Sequence, residues 1–181
     1  MEFQDDFDRV LFTEDELQAK VSELGEKISN DYRDKKPLLI GVLRGCVIFI
    51  SDLMRRLEIP IELDFLAVGS YGKSSTTSGV VRVLKDLNED IENRHVLLVE
   101  DIVDSGLTLN YLLGYLKARN PASLSTCVLL DKPYRREVEV KADYVGFEVP
   151  DKFLVGYGLD YAQQWRHLPY IATLKDDAVK T

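Results

Sequence analysis

VLLVEDIVDSGLTL, residues 96–109, opens as an apolar run and closes on hydroxyls, a glycine and leucines. HVLLVE (95–100) has the length and β-branched content of a buried strand, and Leu109, Leu112, Leu113 and Leu116 recur at helical spacing within 107–118. Between the two elements Asp104, Ser105, Gly106, Leu107 and Thr108 form a turn on which the helix starts. The first N–H groups of a helix lack intrahelical partners and the macrodipole adds partial positive charge there, so this turn suits a monophosphate. Glu100 and Asp101, at the carboxyl end of the strand, would repel an anion unless they serve another purpose. Ribose hydroxyls or a Mg²⁺ suit them, and Asp104 has the chemistry of a base.

The same alternation extends outward. Thr13 followed by Glu16 has the form of a capping box, and Leu17, Val21, Leu24 and Ile28 then predict a helix from about 14 to 32. LLIGVLR (38–44) reads as a strand, CVIFISDLMRRL (46–57) as a helix, IELDFLAV (61–68) and VVRVLK (80–85) as strands, and LSTCVLLD (124–131) as another. YVGFEV and FLVGYGL add two short extended pieces near the end. Strands alternating with helices argue for an α/β fold, a doubly wound and mainly parallel sheet that binds ligands beyond the carboxyl ends of its strands. With no internal repeat or Pro-rich linker, residues 1–181 are expected to form one domain.

The 181 residues carry a net charge of −8, which argues against a broad surface for nucleic acid phosphates but not against a small phosphorylated ligand. Cys46 and Cys127 lie in apolar runs, and His95 and His167 are isolated, so neither a disulfide framework nor a structural zinc site is expected. The start of the chain does not read as a signal peptide, and no segment is long and apolar enough to span a bilayer; a cytoplasmic protein is expected. GYGLDYA misses the dinucleotide fingerprint by one place, and no GxxxxGK[ST] occurs.

VEDIVDSGLT is similar to the phosphoribosyl-diphosphate (PRPP) binding signature of the type I phosphoribosyltransferases. GVLRG (41–45) resembles the pyrophosphate loop, SYG (70–72) the start of the catalytic lid, DKPYRR (131–136) the base-recognition segment, and VPDKFLVGYGLDY (149–161) with Arg166 the purine end of the site. Together these segments resemble the hypoxanthine-guanine branch of that family, in order from about residue 38 to 166. The resemblance implies the type I fold with a small hood subdomain built from the N-terminal and C-terminal segments. It implies that Glu100 and Asp101 hold the ribose hydroxyls, directly or through Mg²⁺, and that Asp104 is the general base at purine N7. The 5′-phosphate would sit on Ser105, Gly106, Leu107 and Thr108, largely through main-chain N–H groups. Leu43, Arg44 and Gly45 would face pyrophosphate, across a peptide that the family often holds cis, with Arg44 where some relatives have Lys. Ser70 and Tyr71 would begin the lid, continued by the Ser/Thr tract at 73–78.

At the purine end the resemblance implies that Lys132 donates to the 6-oxo group, Phe153 stacks on the base and the backbone of Leu154 contacts its edge. It makes Asp160 a ligand of a second Mg²⁺ and Arg166 a pyrophosphate contact. An ammonium only donates, so Lys132 favours a carbonyl over an amino group at C6. The expected activity is transfer of 5-phosphoribose from PRPP to hypoxanthine or guanine by a homo-oligomer, dimer or tetramer. The rivals are a phosphoribosyltransferase for another base, such as adenine or xanthine, and a PRPP-sensing regulator without catalysis.

Overall fold

A computed structural model describes residues 6–70, 81–175 and 177–179. Six strands form the main sheet in the order β4-β3-β2-β5-β6-β7. β2 (Leu38–Leu43), β3 (Glu62–Ser70), β5 (His95–Val103), β6 (Ser123–Asp131) and β7 (Tyr144–Glu148) run parallel, and β4 (Val81–Lys85) joins β3 antiparallel at one edge. The central strands alternate their side chains between two cores. Leu39, Leu97, Val99, Cys127 and Leu129 face one helical layer, and Leu38, Ile40, Val96, Leu98 and Val128 face the other. This is the doubly wound, mainly parallel α/β sheet expected from the alternation of elements.

The first layer is α1 (Glu14–Asp31) and α2 (Val47–Met54), which meet the sheet through Leu17, Val21, Leu24 and Ile28 and through Phe49, Ile50 and Leu53. Each such side chain stabilises the fold by roughly 1.5–3 kcal/mol when fully buried. Thr13 caps α1: its hydroxyl accepts from the Glu16 amide at 3.3 Å while the Glu16 carboxylate takes the Thr13 amide at 2.8 Å. α3 (Leu107–Lys117) covers the opposite face with Leu109, Leu112 and Leu116. Cys46 and Cys127 are buried free thiols, and burial pushes the Cys46 thiol up to about 12.

Several boundaries differ from the sequence expectation. β5 runs on to Val103, so Glu100 and Asp101 lie inside the strand, because ladder bonds to β6 continue through Ile102 and Val103. α2 stops at Met54 rather than near residue 57. β1 (Phe7–Phe12) and β9 (Ile171–Leu174), which the periodicity does not announce, pair antiparallel, and β8 (Leu154–Val155) completes a second sheet in the order β1-β9-β8. Of the two short pieces near the end, YVGFEV supplies β7 of the main sheet, whereas FLVGYGL supplies β8 and then turns, with positive φ at Gly156, Tyr157 and Gly158. Among the described residues no helix is long and apolar enough to cross a membrane.

Candidate active site

A cavity of about 580 Å³ opens beyond the carboxyl ends of the parallel strands. β2 delivers Leu43, Arg44 and Gly45 to its wall, and the Leu43–Arg44 peptide is cis. β5 delivers Asp101 and Asp104, the end of β6 delivers Lys132, and the second sheet with its following turn contributes Phe153, Leu154, Asp160 and Arg166. The elements approach closely there. A Cβ added at Gly45 would lie 1.7 Å from an Asp101 carboxylate oxygen, and one at Gly158, whose φ is +99°, would lie 2.1 Å from the Gly45 carbonyl oxygen. Only glycine allows these three segments to meet.

A smaller cavity, about 100 Å³, lies at the start of α3 and is lined by Glu100, Asp104, Ser105, Gly106 and Thr108. Gly106 takes φ +84° as the residue that opens α3, and Leu107 presents its amide to the Ser105 hydroxyl at 3.4 Å. Asp104 reaches both cavities. Glu100 and Asp101 do not share a wall: Glu100 lines the smaller space and Asp101 the larger. Ser70 ends β3 with its backbone paired to Val81, while Tyr71 and the tract at 73–78 lie outside the described residues.

The electrostatics are uneven. Burial, then the neighbouring Asp101 charge, pushes the Glu100 carboxyl up to about 8, and burial raises Asp101 to about 6. Asp160 is held by Arg166 at 2.6 Å and by the Gln163 amide at 2.8 Å. Among the described residues no three His, Cys, Asp or Glu side chains gather into a metal cage, so Glu100, Asp101 and Asp160 do not converge on one point. Lys132 is buried with its Nζ 3.7 Å from Asp104 Oδ2. Phe153 is half exposed at the cavity mouth and meets Tyr161 edge-on at 5.7 Å.

Three side chains absent from the sequence reading complete the site. Arg135 Nε lies 3.1 Å from Asp104 Oδ1 and its Nη1 donates to Asp151 at 3.0 Å; the first contact is an ion pair without hydrogen-bond geometry, which leaves Asp104 Oδ1 buried and without a donor. Arg136 donates to the Val103 carbonyl at 3.1 Å, to the Asp104 carbonyl and to the Asp131 carboxylate, tying the turn before α3 to the end of β6. Gln163 accepts from Arg44 at 3.1 Å and from Arg166 at 3.4 Å. The DKPYRR segment held the signal for the two arginines, but Gln163 meets Arg44 across 119 residues and has no local signature.

Residues 13–162 match the phosphoribosyl transferase domain family, and the chain belongs to that family. Over 170 residues it is 50% identical to the hypoxanthine-guanine phosphoribosyltransferase of Bacillus subtilis, covering 94% of each chain. A crystal structure of a hypoxanthine phosphoribosyltransferase from Staphylococcus aureus superposes with a TM-score of 0.95 at 41% identity, over 100% of this chain and 98% of that one. The bifunctional protein TilS/HprT of Listeria monocytogenes is 50% identical over 172 residues, which are 95% of this chain but 26% of that protein, so the chain spans about a quarter of that relative's length. Within the family the chain falls in the hypoxanthine-guanine phosphoribosyltransferase branch.

Proposed function

We propose that the chain serves purine salvage, transferring the 5-phosphoribosyl group of PRPP to hypoxanthine or guanine to give IMP or GMP and pyrophosphate. The observation that carries this reading is the pairing of buried Lys132 with half-exposed Asp104, a donor and an acceptor 3.7 Å apart on one wall of the larger cavity. A 6-oxopurine presents the complementary pair, a carbonyl at C6 beside an N–H at N7, on one edge. Phe153 covers the ring face, and the Leu154 backbone lies at the base's other edge.

The phosphate of the ribosyl group binds at the opening of α3, where the amides from Ser105 to Thr108 are free of helical partners. The purine N9 lone pair attacks C1 as the bond from C1 to the pyrophosphate oxygen breaks, and Asp104 accepts the N7 proton. Arg44 and Arg166 balance the charge gathering on pyrophosphate. The carboxylates of Asp101 and Asp160 are hard oxygen donors that fit Mg²⁺, which is commonly held by one or two carboxylates together with substrate phosphates rather than by a protein cage. Mg²⁺ supplies neutralisation of pyrophosphate charge when bound. Glu100 and Asp101 belong to the ribose hydroxyls, Ser70 and Tyr71 to the lid, and the sheet β1-β9-β8 to the hood over the single domain.

The same reading includes a cytoplasmic homo-oligomer, dimer or tetramer, supported by Val47 and Ile48, which the first turn of α2 leaves exposed. The activity is tested by pyrophosphate release from PRPP and Mg²⁺ with hypoxanthine, guanine, xanthine and adenine. Release with hypoxanthine and guanine is expected; release with none, from a protein that still binds PRPP, would favour the sensing regulator.

A further inference from the structure

Arg44 and Arg166 come from opposite ends of the chain and are both cationic, so nothing in their own charges draws them together. They nevertheless meet on one atom. Arg44 Nη1 and Arg166 Nη2 both donate to Gln163 Oε1, at 3.1 Å and 3.4 Å. Gln163 is itself fixed: its backbone N–H donates to Asp160 Oδ2 at 2.8 Å, and its backbone is left-handed at φ +67°. Arg166 is held from behind, by Asp160 Oδ1 at 2.6 Å and by the Gly158 carbonyl, which accepts from Nη1 at 2.8 Å. Arg44 has no such frame, because the only side-chain hydrogen bond of its guanidinium among the described residues is the one to Gln163.

We propose that Gln163 is a positioning residue that aims Arg44, together with Arg166, at the pyrophosphate group. The inference rests on the reading above that these two arginines face pyrophosphate. The choice of amide over carboxylate carries the chemistry. A neutral oxygen orients two guanidiniums and leaves their charge available to the ligand, whereas a carboxylate at the same reach would pair with them and compete with the anion. Asp160 already neutralises part of Arg166. A second carboxylate between the arginines would leave the subsite with little net charge for a polyanion.

The test uses pyrophosphorolysis of IMP, the reverse reaction, in which pyrophosphate is itself a substrate with its own KM. Gln163→Asn keeps the amide and tolerates the left-handed backbone, but it is one methylene too short to reach the arginines. It is expected to raise the pyrophosphate KM by about ten- to a hundredfold, the worth of a hydrogen bond to a charged group, with the KM for IMP unchanged. Gln163→Glu, which keeps the reach and adds charge, is expected to raise the pyrophosphate KM further still. Arg166→Gln serves as the control on the underlying reading. If that control raises the pyrophosphate KM while Gln163→Asn does not, the positioning role is wrong and the subsite stands. An equal rise in the IMP KM, or a Gln163→Glu variant that binds pyrophosphate as well as wild type, also overturns the proposal. A pyrophosphate KM that Arg166→Gln leaves unmoved overturns the subsite and this inference with it.

Discussion

Asp104 stands between two cations, Lys132 at 3.7 Å and Arg135 at 3.1 Å, and one of its oxygens is buried with no hydrogen-bond donor. A carboxylate so placed retains a lone pair for an incoming proton, which is what a general base requires. Asp104→Asn preserves the shape and removes the proton acceptor. Turnover is expected to fall by about 10²–10⁴-fold with the PRPP affinity little changed; steady-state rates near wild type would remove Asp104 from the chemistry. At this scale the sequence was informative wherever a functional residue sat in a short local pattern. The turn from Asp104 to Thr108 could be read because a strand, a glycine and a helix follow one another there, whereas Lys132 stood out only through the resemblance of DKPYRR, since a lone lysine after a strand is more often a solvated charge. Arg135 and Arg136 lay in the same quoted segment without a visible purpose, since their partners Asp104, Asp151 and Asp131 are set by the packing of three loops. Gln163 had no signal at all.

Elements place these residues by close backbone contact, and that is where glycine matters. The turn after β8 touches the loop after β2 at Gly158, whose φ of +99° and 2.1 Å clearance to the Gly45 carbonyl leave no room for a methyl group. Gly158→Ala is expected to lower stability by about 1–3 kcal/mol, the usual cost of backbone strain, and to weaken PRPP binding, because Arg166 leans on the Gly158 carbonyl. Urea melts and the PRPP KM check both; a variant as stable and as tight as wild type would show that the turn yields freely. The helices and central strands could be read from periodicity because each buries a regular stripe. β1 and β9 could not: each is short, β1 is half exposed, and both exist through pairing across the length of the chain. The extension of β5 to Val103 was hidden for a related reason, since its last residues are carried by β6 rather than by their own pattern.

For the whole molecule, the site is held at a cost that depends on pH. Burial raises Glu100 to about 8 and Asp101 to about 6, so the folded protein prefers both protonated, while the unfolded chain ionises them in the ordinary carboxylate range. Raised values mean stability that is complete below about pH 4 and lost as pH rises through about 6 and then about 8. Glu62 and Asp86 act oppositely: hydrogen bonds from Lys36 and from Arg119 hold their carboxyls low, so their contribution disappears only as pH falls below the ordinary carboxylate range. The melting temperature of the ligand-free protein should therefore decline between about pH 5 and 8.5, and Glu100→Gln should flatten the decline; parallel curves for the two proteins would contradict the burial argument. The most direct test of the account is base selectivity, kcat/KM for hypoxanthine and adenine at saturating PRPP and Mg²⁺, in wild type and in Lys132→Ala. Wild type is expected to reject adenine by about 10⁴-fold, because its amino group would set a second donor against the buried Lys132 ammonium, and Lys132→Ala is expected to lose efficiency on hypoxanthine while narrowing that gap. A wild type that uses both bases equally, or a variant whose preference is unchanged, would contradict it.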